Sequence, residues 1–206
     1  MNNTFGRKLY SLGEYYKIYY LALFSITDFR YAKKKKFLNE HFIERIMLAV
    51  TEVNGCPLCS FAHTKMALES GMSNEEIQNM LAGVRDDVPE EEISAVMFAQ
   101  HYAETRGYPS KKSWERIVEI YGFRKAKGIL GTIRMIMFGN AAGAAWGSFV
   151  NRLKKEEKAD DRSNLLYEIG MILVTFIYLP IALIHTISTK LFRIHIIKFK
   201  SVGKKQ

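Results

Sequence analysis

The chain has 206 residues, 48% of them hydrophobic, which suits one domain with a substantial core and some additional segments. Its two cysteines are too few for a secreted fold held by several disulfides, and they favour a reducing cytosolic setting. The net charge of +9 suggests nucleic acid or an anionic membrane as a partner. Because the basic residues lie beside apolar segments, we expect a membrane and no nucleic acid. Few prolines and long apolar patterns of helical period predict an all-α protein.

Residues 1–40 form an aromatic, basic N-terminal segment. The charge-free stretch 18–27 is too short to span a bilayer, and Glu14 and Lys17 interrupt the pattern of a signal peptide. The run Lys33 to Lys36 follows. An aromatic helix beside four lysines is typical of an interfacial membrane anchor, with the lysines near anionic head groups. The alternative is that the aromatic side chains pack on the core of the domain.

The next segment predicts two helices joined by a tight turn. Apolar residues at spacings of three and four predict an amphipathic helix over 42–53. Asn54 and Gly55 tolerate the left-handed conformation that ends a helix. Cys56 and Pro57 then begin a second helix, since proline is favoured at the first helical position. Cys59 would lie in the first turn, where exposed N–H groups and the helix dipole favour a thiolate.

Both cysteines of the chain lie in this turn, in a Cys-x-x-Cys motif followed by a histidine. Cys56, Cys59 and His63 are spaced i, i+3 and i, i+4, so they share one helical face. A thiol with a pKa of about 8.5 is only slightly ionised near neutral pH, and a neighbouring imidazole can accept its proton. Glu44 and Glu52, on the preceding helix, are candidates to orient that imidazole. The pattern favours a redox dithiol.

Two alternatives compete with a redox dithiol. Cysteines and a histidine at this spacing also bind zinc, with a carboxylate as a further ligand. Structural zinc sites usually take two ligands from each of two segments, and no second Cys/His pair is present, so we expect no metal. The second alternative is that the cysteines are inert core residues, since free cysteine is often buried. Their spacing at a helix start argues against that alternative.

This segment resembles the alkylhydroperoxidase D-like branch of the carboxymuconolactone decarboxylase superfamily. The resemblance lies in the spacing of four residues: eleven residues separate Glu44 from Cys56, two separate Cys56 from Cys59, and three separate Cys59 from His63. The local sequences 48–50 and 54–56 are also similar to that family. Residues from about 42 to 153 fit the length of that family. The resemblance therefore implies an alkylhydroperoxidase D-like helical bundle over 41–153.

The resemblance also implies roles for these residues. Cys59 would attack the peroxide, Cys56 would form the disulfide with it, and His63 would accept the proton. Glu44 would polarise His63 through water, which leaves Glu52 as a solvated or supporting residue. No cofactor is implied beyond an external dithiol reductant, and a homo-oligomer, typically a trimer or hexamer, is expected. One departure is Leu58, which stands where the best-studied branch has a second histidine that serves as an auxiliary proton carrier.

Four further helices are predicted after the thiol helix. Capping residues, glycines and apolar spacing place them over 73–83, 89–107, 113–121 and 125–149, with Gly122 ending the third. His101 is a candidate for the thiol site, although aromatic residues and methionines at its helical spacing are more typical of a core. Small residues along the last helix permit close approach of another helix.

The C-terminal part carries the strongest membrane signal. A charged linker over 154–164 precedes a hydrophobic segment with a basic tail, 165–206, in which the 21 residues 169–189 include no Asp, Glu, Lys or Arg. At ~1.5 Å per residue a straight helix of that length reaches ~32 Å, comparable to a hydrocarbon core. Pro180 permits a kinked spanning helix or a re-entrant hairpin. Positive residues on both sides favour both ends, and the thiol domain, in the cytoplasm.

Together these observations predict a membrane-associated thiol-dependent peroxidase or disulfide oxidoreductase that reduces hydroperoxides and is reset by a thioredoxin-like or other dithiol. The alternative is a membrane-tethered redox sensor or adaptor whose disulfide state changes partner binding with little turnover. Lactone decarboxylation is less expected, because that chemistry does not need a dithiol.

Overall fold

Seven helices make up the described part of a computed structural model of the chain, residues 9–154, 163–192, 194, 197 and 199. These residues contain no β-strand, and the prediction of an all-α fold with one long apolar C-terminal helix is confirmed. The remaining parts of the predicted linker, basic tail and N-terminal segment lie outside the described residues. The helices are α1 (Leu12–Lys34), α2 (Glu40–Asn54), α3 (Pro57–Ser70), α4 (Asn74–Leu81), α5 (Glu90–Glu104), α6 (Lys111–Leu153) and α7 (Leu165–Leu191).

Helix α6 is the centre of the fold and packs on α1, α2, α3, α5 and α7. It contains one break, at Gly122, whose φ of 72° and ψ of 153° are not helical. The two predicted helices over 113–121 and 125–149 therefore follow each other across this kink. A side chain on Gly128 would collide with Ala32, so the close approach of α1 requires a glycine here.

Helix α1 belongs to the core. Tyr15, Tyr19 and Tyr20 are buried, and the ring of Tyr19 stacks on Phe138 of α6 with centroids 4.3 Å apart. The alternative that the aromatic residues pack on the core is confirmed for the buried rings of α1, and a role of this segment at a membrane surface stays a prediction. The lysines 33–36 at its C-terminal end are exposed.

Helix α7 runs parallel to α1 as one continuous helix through Pro180, so the hairpin prediction is wrong. The parallel direction follows from hydrogen bonds between Tyr15 and Thr175 at 2.7 Å and between Lys190 and Thr27 at 2.9 Å. It is long and apolar enough to cross a membrane, and only 17% of its most hydrophobic window is buried, which is weak evidence for membrane association.

The sequence of α7 looks apolar all round, but the helix has two different sides. The side that faces the bundle carries buried polar residues, among them Glu168, Thr186 and Thr189. The outward side carries exposed Leu, Ile and Phe side chains, with Ile184 and Phe176 each 67% exposed. This polarity is the reverse of that expected for a surface helix in water.

Candidate active site

The turn between α2 and α3 places the two cysteines. Gly55 ends α2 with a φ of 64°, a left-handed conformation that glycine adopts without strain. Cys56 then caps α3, with Pro57 in the first helical position. The Cys56 sulfur accepts a hydrogen bond from the backbone N–H of Cys59 at 3.2 Å. Both predicted helix boundaries at this turn agree with the structure to within one residue.

The two thiols lie together and are not joined by a disulfide. Cys56 is 2% exposed and Cys59 is 8% exposed. The Cys59 thiol donates to the carbonyl oxygen of Gly139 in α6 at 3.4 Å. Both sulfurs also face Gly143, one turn farther along α6, where a Cβ atom would lie 2.8 Å from the Cys59 sulfur and 3.0 Å from the Cys56 sulfur. The bare backbone of α6 thus forms the wall behind the dithiol.

The surroundings hold the proton on Cys59. A hydrogen bond to Cys56 raises the pKa of the Cys59 thiol far above its usual range, and burial and the charge of Cys56 raise it further. The sequence predicted that the first-turn N–H groups would stabilise a thiolate at Cys59, and this was wrong. In the first turn, the backbone N–H of Cys59 donates to the sulfur of Cys56 and not to that of Cys59.

A carboxylate and an imidazole form a hydrogen bond between α2 and α3. The Nδ1 atom of His63 lies 2.8 Å from Oε2 of Glu44, and both side chains are largely buried between α2 and α3. The contact is direct, whereas the resemblance implied a contact through water. With Nδ1–H bound to a carboxylate, the other ring nitrogen, Nε2, is left as the proton acceptor. His63 follows Cys59 by one helical turn.

The other two candidate residues are Glu52 and His101. Of the two carboxylates considered, Glu44 contacts His63, while Glu52 is half-buried near the end of α2. His101 lies in the last turn of α5, where its Nε2 accepts the backbone N–H of Ser110 at 3.2 Å. Within the described residues, α5 packs on α2 and α6 and makes no contact with α3. The structure therefore does not bring His101 to the dithiol.

One protein family is similar to this part of the chain. The model of the carboxymuconolactone decarboxylase family matches residues 21–100. The match begins inside α1 and ends inside α5, so it starts earlier and stops earlier than the resemblance suggested, and it includes Glu44, Cys56, Cys59 and His63. Neither the curated proteins nor the solved structures contain a match.

The match to the carboxymuconolactone decarboxylase family leaves two chemistries open, since the family includes decarboxylases and alkylhydroperoxidase D-type peroxidases. The assignment to the peroxidase branch stays a prediction. Among the residues that the structure describes, no group of three or more His, Cys, Asp and Glu side chains has a metal-binding arrangement.

Two features near the candidate site were not predicted from the sequence. The first is the contact of α6 with the sulfurs. The glycines and alanines of α6 predicted only that another helix could approach closely, and not which one. The second is Arg45, next to Glu44, which pairs with Glu76 of α4 at 2.6 Å and Glu92 of α5 at 2.8 Å. These pairs fasten α2 to two neighbouring helices and thereby fix the position of Glu44.

Proposed function

We propose that the protein is a membrane-associated thiol peroxidase that reduces hydroperoxides through Cys56 and Cys59 and is reset by an external dithiol. The observation that carries the proposal is that two unbridged, hydrogen-bonded thiols stand at the start of α3, one helical turn before a histidine that is directly paired with Glu44. A dithiol at a helix start with a base one turn away supplies the nucleophile, the proton acceptor and the second sulfur of a peroxidase cycle. The match of residues 21–100 to a family that includes such peroxidases is compatible with this proposal.

In the first step His63 takes the proton of the Cys59 thiol. The Cys59 sulfur attacks the terminal oxygen of R–O–O–H, so an S–O bond forms while the O–O bond breaks. The leaving alkoxide takes the proton from His63 and departs as an alcohol. Cys59 is oxidised to a sulfenic acid, and the peroxide is reduced. The carboxylate of Glu44 stabilises the imidazolium that exists between these two proton transfers.

In the second step the sulfur of Cys56 attacks the sulfur of Cys59. An S–S bond forms, the S–O bond breaks, and the released hydroxide takes the Cys56 proton to become water. A thioredoxin-like dithiol then reduces the disulfide by exchange and is itself oxidised. The contact between the two sulfurs in the reduced chain supports a short path to the disulfide.

A second candidate function is a redox sensor with little turnover. The observation that favours it is the state of Cys59, which is buried and whose pKa is raised by its hydrogen bond to Cys56. A thiol that keeps its proton reacts slowly with peroxide. A slow, single oxidation suits a sensor. In an enzyme, His63 would have to remove the proton from the Cys59 thiol.

Peroxide consumption by the full chain in detergent micelles, with excess dithiothreitol or a thioredoxin system, tests the proposal. We expect many equivalents of hydrogen peroxide to be consumed per chain. Cys59→Ser abolishes consumption, and Cys56→Ser stops at a sulfenic acid that dimedone traps. Loss of the general base in His63→Ala lowers the rate of the first step by about 10²–10⁴-fold. His41→Ala is the matched control, because His41 binds the carbonyl of Ser70 instead of Glu44.

The outcomes separate the two candidates. Consumption that stops after one equivalent despite excess dithiol supports the sensor. A chain whose thiols remain reduced in peroxide contradicts both.

A further inference from the structure

A cavity of about 250 Å³ lies between α3, α6 and α7, next to the dithiol. Leu58 of α3 and Gly143 and Trp146 of α6 form part of its wall, and Ile172 and Phe176 of α7 form the opposite side. We call it the α3–α6–α7 cavity. The position of Leu58 between the two cysteines already ties the cavity to the active site.

The inner end of this cavity lies against two residues that adjoin the dithiol, Leu58 and Gly143, and neither cysteine is among its described lining residues. A Cβ atom on Gly143 would lie 2.8 Å from the Cys59 sulfur, 3.0 Å from the Cys56 sulfur and 3.9 Å from Cδ2 of Leu58. The missing side chain therefore lets the thiols pack on the α6 backbone at the wall of the cavity. A molecule that fills the cavity contacts the residues next to the dithiol.

The wall of the cavity is apolar. Apart from the indole of Trp146, the only polar side chain among the described lining residues is that of Thr175. Its hydroxyl is already occupied, because it donates to the carbonyl of Met171 at 2.7 Å and lies 2.7 Å from the hydroxyl of Tyr15. None of the lining residues that the structure describes carries a charged side chain. Such a wall suits a hydrocarbon chain and gives a polar ligand nothing to bind.

The outer end of the cavity opens on the exposed apolar side of α7. Phe176 and Trp146 stand at this opening, 67% and 50% exposed, and Leu173 continues the apolar surface. The buried side of the same helix is the polar one, as the ion pair of Glu168 with Arg152 at 2.8 Å illustrates. Because the outward side is the apolar one, its stable surroundings are non-aqueous.

Charge favours a lipid surface over a second copy of the chain. The exposed lysines 33–36 end α1, which runs parallel to α7 and extends past the contact between Thr27 and Lys190. Anionic head groups complement these cations. A second copy would instead bring its own positive charge, since each chain has a net charge of +9.

We propose that the α3–α6–α7 cavity binds the acyl chain of a lipid hydroperoxide that enters from the membrane side of α7. This inference rests on the proposed peroxidase function and names its substrate class. The acyl chain lies along the apolar wall, and its hydroperoxide group reaches the dithiol at Gly143. Hydrogen peroxide has no chain and gains nothing from the cavity.

The test compares two peroxides. We expect Ala142→Phe, which fills the cavity, to lower the ratio of the rate constants for a long-chain fatty-acid hydroperoxide and hydrogen peroxide at least tenfold. Ala144→Phe is the matched control, since Ala144 is a half-buried residue of the same helix that does not line the cavity. Ile172→Phe fills the cavity from the opposite wall and serves if Ala142→Phe does not fold. An unchanged ratio in a folded filling variant overturns the inference and leaves the peroxidase function intact.

A second measurement does not depend on catalysis. In a Trp114→Phe background Trp146 is the sole tryptophan, because the chain has two. We expect a brominated fatty acid to quench its fluorescence saturably, and Ala142→Phe, but not Ala144→Phe, to remove the saturable part. If the wild-type chain consumes no hydroperoxide, the proposed function fails, and this quenching alone decides whether the cavity holds an acyl chain. Quenching that Ala142→Phe leaves unchanged overturns the cavity assignment.

Discussion

Gly143 is the residue through which α6 touches both sulfurs. A methyl group there would lie within 3.0 Å of each sulfur, which is closer than stable contacts allow, and its neighbours are the thiols and not a flexible side chain. We expect Gly143→Ala to push the thiols apart, to cost about 1–3 kcal/mol of stability as overpacking does, and to slow disulfide formation. The rate of intramolecular disulfide formation after one equivalent of peroxide measures this effect.

Gly139→Ala is the matched control for that prediction. It lies one turn earlier on α6, and a Cβ atom there would meet only Cδ1 of Ile136 at 3.6 Å, an ordinary contact. Its carbonyl, which accepts from the Cys59 thiol, is unchanged by the substitution. Equal effects of the two alanines would show that α6 does not position the dithiol.

The proton of Cys59 gives a prediction about pH. Its hydrogen bond to Cys56 is the largest cause of the raised pKa, so Cys56→Ala should lower the pKa of Cys59 towards the ordinary value of about 8.5. Cys56→Ser, which keeps a hydroxyl partner, should lower it less. Alkylation of Cys59 at a series of pH values, followed by mass spectrometry, measures the shift. An unchanged profile in Cys56→Ala would contradict the assigned cause.

The same raised pKa affects stability. The folded chain holds the Cys59 proton more tightly than the unfolded chain, so this contribution is fully present below the unfolded thiol pKa of about 8.5 and decreases as pH rises above it. Wild type should therefore lose more unfolding free energy between neutral and alkaline pH than Cys59→Ser. Urea denaturation at the two pH values makes the comparison.

At the scale of elements, Arg45 is the residue that fastens α2 to α4 and α5. Burial raises the pKa of Glu92, and the neighbouring Arg45 opposes that rise. We expect Arg45→Met to cost about 3–5 kcal/mol at neutral pH, because it leaves a buried carboxylate without its partner. With the pKa of Glu92 raised further, unfolding free energy in the variant should fall as pH rises above the ordinary carboxyl value of about 4.3. Urea denaturation of wild type and variant at acidic and neutral pH measures both effects.

Arg85→Met is the control for the Arg45 prediction. Arg85 is exposed and hydrogen-bonds Gln100 at the surface, at 2.6 Å. Its replacement should have little effect at either pH. If Arg45→Met is equally mild, the buried pairs do not hold α2 in place.

The elements that the sequence predicted well are those specified by local chemistry. Gly55 and Pro57 mark the α2–α3 turn by their own backbone preferences, and the Cys-x-x-Cys-x-x-x-His motif consists of the cap and the first two turns of α3. The contact between the Cys59 thiol and Gly139 joins residues 80 apart in the chain. No local pattern specifies which helix covers the thiols, so that part of the site could not be predicted.

Which side of α1 and of α7 faces the bundle could also not be predicted from the sequence. An aromatic helix such as α1 has the same composition whether its rings meet lipid or a protein core, and only its packing on α6 and α7 decides. In α7 the threonines that face the bundle are sparse among Leu and Ile, so the helix reads as apolar all round. Only contacts in the folded chain, such as the hydrogen bond between the hydroxyl groups of Thr175 and Tyr15, show which side of α7 faces the bundle.

At the scale of the whole molecule, the apolar side of α7 and the lysines after α1 together form a membrane-binding surface in our proposal. Because α1 and α6 cover the other side of α7, we expect the helix to lie in the plane of the membrane surface and not to be surrounded by lipid. The full chain should therefore sediment with anionic vesicles, bind neutral vesicles more weakly, and be released in part by salt.

Two variants separate the apolar and the charged contributions to this binding. Ile184→Asp places a charge on the exposed apolar side and should weaken binding to both kinds of vesicle. Replacing Lys34 and Lys35 by Gln should weaken only anionic binding, by about 2 kcal/mol, or roughly thirtyfold. Replacing Lys65 and Arg85 by Gln removes the same charge from α3 and the segment after α4, and should change binding much less. Equal losses in the two double variants would mean that net charge, and not an oriented surface, brings the protein to the membrane.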